Sequence, residues 1–182
     1  MKFTKLINSL LFIIFVVFII NSLVKKNMKP EDFKNQEPRL IIEKYLSGNV
    51  KAWGILQNRS GKVTRQFSAD LNGKWDGKQL ILDEKFNWNN GEEQTRQWQI
   101  TKIDEHNYEG TAGDVVGKAR GYSYGPAFKF EYVLLGPVKG REMKITFDDW
   151  IFMQDERVAI NRAKMTKFGI KVAELTVMFV KD

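Results

Sequence analysis

The stretch QLILDEKFNWNNGEEQTRQWQI, residues 79–100, decides the fold because it predicts a β-hairpin. Apolar and polar residues alternate on both sides of Asn89-Asn90-Gly91, and a period of two is typical of half-buried strands. A two-residue loop at Asn90-Gly91 would place polar residues opposite the apolar stripe. A three-residue loop with Gly91 left-handed pairs Leu82 with Trp98 instead, so we predict this register.

The predicted register also pairs two charged residues within the apolar face. Glu84 lies opposite Arg96, on the same side of the hairpin as Phe86 and Trp98. Removing an ion pair from water costs several kcal/mol per ion before attraction and hydrogen bonds offset it. We therefore predict that further polar groups satisfy this pair.

The period of two continues along the chain beyond Gly48. Turn sequences rich in Gly, Asn, Asp and Pro separate the alternating segments, and no helix-length amphipathic segment interrupts them. Consecutive strands with short loops form an antiparallel meander, and closure into an up-and-down barrel removes its exposed edges. The predicted strands cover residues 49–57, 62–71, 79–88, 93–103, 108–116, 127–135, 141–153, 157–165 and 171–180.

Three shorter segments complete this prediction. Residues 38–46 form a short helix candidate that ends before Gly48, and Asn72-Gly73 is typical of a turn. Residues 121–125 match the G-x-S-x-G nucleophile elbow of α/β-hydrolases, which needs a helix after the serine and a histidine later in the chain. Here Pro126 and a strand follow, and His106 lies upstream. We therefore predict a flexible Gly-rich loop at the barrel rim.

Composition excludes several kinds of site. The chain has no cysteine and a single histidine, His106, which we predict to lie in an exposed turn. Disulfides, thiolate nucleophiles, cysteine-based metal sites and sites built on several imidazoles are therefore excluded. The net charge of +7 is spread along the strands rather than grouped, so nucleic acid is not an expected partner. We predict no catalytic residues, no metal and no cofactor.

The predicted inner face combines large and small side chains. Aromatic residues at 128, 130 and 132 face a strand of mostly small ones at Tyr108, Gly110 and Ala112. Small barrels either leave a cavity in such a place or use it to fill a taper. The sequence leaves both alternatives open.

Further polar groups are expected on the inner face. Asp148 and Asp149 are neighbours on a strand and therefore point to opposite faces. If Ile145 and Phe147 face inward, then Asp149 does too, with Arg162 of the next strand as its expected partner. A salt bridge and contact with a ligand headgroup are both open for this pair. The predicted ligand-binding residues are Glu84, Phe86, Arg96, Trp98, Phe128, Phe130, Tyr132, Asp149 and Arg162.

The N-terminal segment predicts a membrane anchor. Leu6 to Val24 contains 15 Leu, Ile, Phe or Val residues among 19 and no charge, and as a helix it would be ~28 Å long. A cleaved signal peptide is the alternative, but no small-x-small cleavage site follows the apolar run. Lysines flank both ends, so charge bias leaves the orientation open. We predict a cytoplasmic tail and transmembrane anchor over residues 1–26, a linker over 27–37 and a barrel domain over 38–182.

A series of short motifs, in order over residues 38–181, resembles the bacterial envelope family known as domain of unknown function 3833. The motifs are Trp53-Gly54, Ser60-Gly61-Lys62-Val63, Trp75-Asp76-Gly77, Leu82-Asp83-Glu84-Lys85-Phe86, Asn107-Tyr108-Glu109-Gly110-Thr111, Asp114-Val115-Val116-Gly117, Phe147-Asp148-Asp149-Trp150, Asn161-Arg162-Ala163 and Lys167-Phe168-Gly169.

The resemblance implies a lipocalin-like barrel with a central cavity and no established activity. Members are usually lipoproteins with an acylated cysteine, whereas this chain has none, so its helix would replace the lipid anchor. The exported topology of the family implies a cytoplasmic N-terminus, hence a single-pass protein of the bacterial inner membrane with a periplasmic barrel. Members are often encoded near membrane-lipid-modifying enzymes, which favours a lipid as the ligand.

These observations favour one function and leave two alternatives. The favoured function is a membrane-anchored, lipocalin-like protein that binds a fatty-acid or lipid-like ligand, with Arg96 or Arg162 meeting an anionic headgroup. The first alternative is a non-enzymatic interaction protein whose filled barrel docks on an envelope partner. The second is an enzyme acting on lipid, or an accessory to one.

Overall fold

Alternating side chains produce ten antiparallel strands in the part of the chain that the computed structural model describes, residues 28–138 and 141–182. Each strand pairs with its sequence neighbours, and β1 pairs with β10, so the sheet closes into a barrel. The prediction of an all-β antiparallel barrel is confirmed. The strands are β1 (Gly48–Asn58), β2 (Val63–Trp75), β3 (Gln79–Trp88), β4 (Glu93–Lys102), β5 (Asn107–Ala112), β6 (Ala119–Tyr124), β7 (Ala127–Val138), β8 (Arg141–Met153), β9 (Val158–Lys167) and β10 (Ile170–Lys181).

The β3–β4 hairpin has the register predicted from the sequence. Leu82 lies opposite Trp98, and Glu84 lies opposite Arg96. Gly91 has a φ of +83°, a left-handed conformation that glycine adopts without a Cβ clash. The three-residue loop is therefore confirmed.

Two glycine segments lie inside strands, contrary to prediction. Gly73 belongs to β2, and a Cβ added there would lie 1.9 Å from the carbonyl oxygen of Leu46. Gly121 belongs to β6, where a Cβ would lie 2.9 Å from Cζ of Phe128. Both glycines make room for another part of the fold, so the predicted turn at residues 72–73 and the predicted rim loop at 121–125 are wrong.

A short helix, α1 (Ile42–Tyr45), covers one end of the barrel, which we call the closed end. The apolar side chains of Leu40, Ile42, Tyr45 and Leu46 are at most 4% exposed. The ammonium group of Lys181 donates hydrogen bonds to the carbonyl oxygens of Lys44, Tyr45 and Ser47 at 2.7–2.9 Å. These bonds satisfy carbonyls that the end of a helix leaves free.

The closed end also contains a buried carboxylate, Glu43. Its two oxygens accept hydrogen bonds from the Lys102 ammonium and, at 2.9 Å, from the Tyr108 hydroxyl. Burial acts to raise the pKa of Glu43, but the hydrogen bonds from Lys102 and Tyr108 outweigh it and hold the pKa below its usual value. Glu43 is therefore charged and fully paired.

The chain enters the barrel at the closed end. A 3₁₀ helix (Pro30–Phe33) places the Phe33 ring 6.0 Å from that of Trp150 and 5.4 Å from that of Phe152. Within residues 28–138 and 141–182, no helix is long and apolar enough to cross a membrane. The membrane helix predicted over residues 6–24 lies outside the described residues.

Candidate ligand-binding site

A cavity of about 230 Å³ lies inside the barrel, between α1 and the opposite end. Aromatic rings form much of its wall: the ring centroids of Trp98 and Tyr132 are 5.3 Å apart, and those of Tyr132 and Phe147 are 4.9 Å apart. Pockets for drug-sized ligands measure roughly 300–1,000 Å³. This smaller cavity therefore suits a narrow molecule, or the apolar part of one.

The cavity has its mouth at the end opposite α1. The lining side chains nearest that end, Phe86, Trp88, Met165 and Leu175, are only partly buried. The lining side chains near α1, such as Leu46 and Ile100, are at most 4% exposed. A ligand would therefore enter at the mouth and stop against the closed end.

Eight of the nine predicted ligand-binding residues line this single cavity, and Arg162 is the exception. The alternation of each strand brings them together, since every second side chain points inward. The eight are Glu84, Phe86, Arg96, Trp98, Phe128, Phe130, Tyr132 and Asp149.

The small side chains of β5 do not produce the cavity. A Cβ added at Gly110 would lie 2.5 Å from Cζ of Phe130. The Phe130 ring therefore occupies the space that glycine leaves. In this sector the small residues allow aromatic rings to fill the taper of the barrel, which is one of the two alternatives that the sequence left open.

The Arg96 guanidinium is held by two carboxylates. Its Nη2 and Nε donate to Oδ2 of Asp114 at 2.6 and 3.1 Å, and its Nη1 lies 4.0 Å from Oε2 of Glu84. Asp114 follows β5 and was missed by the sequence prediction. Continuing the predicted alternation of Tyr108, Gly110 and Ala112 by two residues would have placed it on the inner face.

Asp149 faces the cavity as predicted, but Arg162 does not. Asp149 accepts hydrogen bonds from the Tyr132 hydroxyl at 2.9 Å and from the side-chain amide of Asn161. Arg162 lies opposite Trp150 on the outer face, with its side chain 63% exposed, and pairs with Glu174. The predicted Asp149–Arg162 pair is therefore wrong, and Asn161 takes the position assigned to Arg162.

Burial changes the proton affinities of this cluster. It raises the pKa of Glu84 to about 7, against the attraction of Arg96, and the nearby charges of Asp149 and Asp114 raise it further. Burial likewise raises the pKa of Asp149 to about 6, although hydrogen bonds from Asn161 and Tyr132 oppose it. Among the described residues, no group donates a hydrogen bond to Oε2 of Glu84 or Oδ1 of Asp114, and both atoms are buried.

The other residues singled out from the sequence make ordinary structural contacts. The Ser123 hydroxyl of the G-x-S-x-G match donates to the Leu40 carbonyl oxygen at 3.0 Å. Asp148 faces outward, 3.4 Å from the Lys129 ammonium, so the prediction that Asp148 and Asp149 point to opposite faces is confirmed. His106 lies in a turn as predicted, but it is half-buried rather than exposed, with Nδ1 2.8 Å from the Ser123 carbonyl oxygen. No cluster of three metal-ligating His, Cys, Asp or Glu side chains occurs in the described parts of the chain.

Two solved structures share the barrel fold. A protein of unknown function from the DUF3598 family of Nostoc punctiforme has a TM-score of 0.60 and 14% identity over 81% of this chain. The chain spans about half (51%) of that protein. An S-type phycobiliprotein lyase from Guillardia theta has a TM-score of 0.57 and 9% identity over 77% of this chain and 90% of its own. At these identities the likeness shows the fold alone.

Sequence comparison gives the family. No curated protein matches the chain. The profile of the family described as "protein of unknown function (DUF3833)" matches residues 17–181, nearly the whole chain, which confirms the resemblance carried by the short motifs. The chain belongs to the DUF3833 family.

Proposed function

We propose that this chain is a membrane-anchored, lipocalin-like protein of the bacterial envelope that binds a lipid-like ligand inside its barrel. The observation that carries the proposal is the cavity of about 230 Å³, which is lined by aromatic and aliphatic side chains and contains a small polar cluster. Cavities of this composition are the usual sites for small ligands. Each buried methylene contributes about 0.8 kcal/mol, so an alkyl chain gains free energy by entering.

The cavity favours binding over the alternative of a filled barrel that acts only through its outer surface. A filled barrel would place side chains in the space between Phe86 and Phe147, both of which line the cavity. The fold likeness to the phycobiliprotein lyase adds no ligand class, because the identity is only 9%. The ligand class therefore rests on the chemistry of the interior.

A non-enzymatic role is part of the proposal. The serine of the nucleophile-like motif, Ser123, is buried at the closed end and donates to Leu40, so a substrate in the cavity would not reach it. The polar cluster of the cavity contains carboxylates, an arginine, an amide and a phenol. The Tyr132 hydroxyl donates to Asp149, but burial raises the pKa of Tyr132 well above its usual value, so this phenol is not an activated nucleophile.

The proposed anchor fits the way in which the chain enters the barrel. Residues 6–24 are apolar enough to span a bilayer, and only a few residues separate them from Pro30 at the closed end. A tether of this kind would hold the barrel by its closed end, with the mouth pointing away from the inner membrane and into the periplasm.

Mass spectrometry of molecules that copurify with the full-length chain tests the proposal. We expect the wild type to carry an apolar, chain-like molecule. Ala69→Leu, which adds bulk to the cavity wall, should reduce the bound amount. Ser68→Leu is the matched control. Ser68 precedes Ala69 in β2, and its side chain is exposed on the outer face, so this variant should retain the ligand.

Two results would overturn the proposal. A wild-type chain that carries no apolar molecule, and takes up none when alkyl ligands are added, would contradict ligand binding. The intact mass of the same preparation tests the anchor, because loss of the first ~25 residues would show that the apolar segment is a cleaved signal peptide.

A further inference from the structure

We infer that the ligand of the cavity ends in a cationic ammonium group, which lies against Glu84 and Asp149. The inference rests on the proposed function, since it specifies the polar end of the lipid-like molecule that the cavity would hold. It replaces the fatty-acid carboxylate that the sequence led us to expect.

Arg96 is not free to bind an anionic headgroup. Its guanidinium makes two hydrogen bonds to Asp114, and its third nitrogen faces Glu84 at 4.0 Å. A carboxylate entering the cavity would have to displace one of these partners or share the guanidinium with both. Arg162, the other arginine that the sequence suggested, lies on the outer face and is paired with Glu174.

The polar cluster has more acceptors than donors. Three carboxylates surround one guanidinium: Glu84 and Asp114 pair with Arg96, and Asp149 feels its charge at longer range, which leaves a formal charge of −2 when all four groups ionise. The Tyr132 hydroxyl already donates to Asp149, and Asn161 donates to Asp149 and to the Trp150 carbonyl oxygen. The cluster thus has no further cation of its own among the residues that line the described cavity.

One acceptor atom of a residue that lines the cavity is left over. Oε2 of Glu84 is buried and receives no hydrogen bond from any described residue. A buried acceptor without a donor is unfavourable. An ammonium group carries three donors and a positive charge, so it would satisfy this oxygen and offset the surplus negative charge.

The groups around Glu84 give the inference a second, pH-dependent consequence. Arg96 of β4, Asp149 of β8 and Asp114, which follows β5, are the charged groups that act on it, and the Trp98 side chain donates to it; Tyr132 of β7 feels its charge in turn. Because burial raises the pKa of Glu84 to about 7, part of the population is protonated near neutral pH. A bound cation stabilises the carboxylate and expels this proton, whereas a bound anion favours its retention. Affinity for an amine should therefore rise between about pH 6 and pH 8, roughly one unit on either side of that pKa, and affinity for a carboxylate should fall.

Three probes of equal chain length separate the possibilities: decylamine, decanol and decanoate. Each is titrated calorimetrically into the full-length chain in lipid nanodiscs, with empty nanodiscs as the blank for uptake by lipid. We expect decylamine to bind about 10- to 150-fold more tightly than decanoate at pH 7.5, the range of a charge-assisted hydrogen bond. Titrations in buffers of different ionisation enthalpy should show proton release with the amine.

Substitutions assign the effect to the cluster. Glu84→Gln should remove most of the preference for the amine and the proton release, while decanol binding changes little. Asp149→Asn provides the same test if Glu84→Gln does not fold. Asp83→Asn is the control, since this neighbour of Glu84 faces outward and accepts from Gln97, and its preference should equal that of the wild type.

The outcomes distinguish the two levels of the proposal. If decanoate or decanol binds as tightly as decylamine, the ammonium assignment is wrong and lipid-like binding stands. If the amine preference persists in both Glu84→Gln and Asp149→Asn, the assignment to this cluster is wrong. If none of the three probes binds above the nanodisc blank, the proposed function itself fails.

Discussion

The barrel buries two glutamates, and they have opposite surroundings. Glu43 at the closed end and Glu84 in the cavity have side chains that are only 7% and 12% exposed. Glu43 has a donor for each oxygen, and its pKa lies below the usual value, whereas Glu84 has an oxygen without a donor and a pKa raised to about 7. Both side chains have little exposed surface, but Glu84 lies deeper among protein atoms and beside the charges of Asp149 and Asp114, whereas Glu43 has a donor for each oxygen. Depth of burial and the neighbouring groups together decide the outcome. The closed end is complete in itself, and the cavity leaves an acceptor for a ligand.

The largest expected effect tests whether the closed end is as tightly packed as this comparison requires. Gly73→Ala would place a Cβ 1.9 Å from the carbonyl oxygen of Leu46, a backbone atom that cannot move without displacing α1. We expect a loss of more than about 3 kcal/mol in the free energy of unfolding, measured by urea denaturation of the full chain.

A second glycine provides the control for this substitution. Gly136 also lies in a strand, β7, but a Cβ there would meet nothing within 4 Å. Gly136→Ala should change the free energy of unfolding by less than about 0.5 kcal/mol. Equal effects at the two glycines would show that α1 does not pack against β2 as described.

The same glycines show how far the fold could be predicted from sequence. The β3–β4 register follows from local alternation and from Gly91, so it was predictable within one hairpin. Gly73 and Gly121 have the composition of turns, but their reason lies elsewhere in the fold, at Leu46 and Phe128. Tertiary close approaches of this kind have no local pattern, so β2 was predicted too short and β6 was missed.

The site was predictable to the extent that each strand has a clear apolar face. The faces of β3, β4, β7 and β8 carry large aromatic or aliphatic residues, so their inward side chains were assigned correctly. In β9 the inward residues are the small Ala159 and Ala163, both fully buried, while Ile160 is 37% exposed. Hydrophobicity alone therefore favours the wrong face of β9, the one that carries Arg162 rather than Asn161.

A moderate effect is expected from removing the charge of the paired glutamate. Glu43→Gln should lower the free energy of unfolding at pH 7 by about 2 kcal/mol, because hydrogen bonds to charged groups contribute roughly 1.5–3 kcal/mol. The loss lies toward the lower end since the Lys102 side chain is 31% exposed and can regain water.

The pH dependence of this variant has a definite sign. The pKa of Glu43 is lower in the folded chain than its usual value of 4.5, so the stabilisation is present above that pH and is lost as the pH falls through the folded pKa. The difference between wild type and Glu43→Gln should therefore shrink below about pH 4. Glu105→Gln, an exposed glutamate at the same end, should leave stability unchanged, and an equally large loss there would contradict a specific role for Glu43.

The smallest expected effect has the opposite sign and concerns the cavity. The pKa of Glu84 is about 7 in the folded chain against 4.5 in its usual state, so the folded chain binds an extra proton between these values. Stability of the wild type therefore falls as the pH rises from 4.5 to 7. Glu84→Gln resembles the protonated form at every pH, so it should be more stable than the wild type at pH 8 by about 1 kcal/mol and equal to it at about pH 4, below the unfolded pKa. This modest gain reflects an effective dielectric constant of about 20, since the cavity has a mouth through which water can enter.

Urea denaturation at the two pH values measures this gain in stability, with Asp83→Asn, the outward neighbour that accepts from Gln97, as the control. A loss of stability at pH 8 would mean that the ion pair with Arg96 stabilises the fold as Lys102 does for Glu43. Glu84 would then be a structural carboxylate like Glu43, with no acceptor left for a ligand.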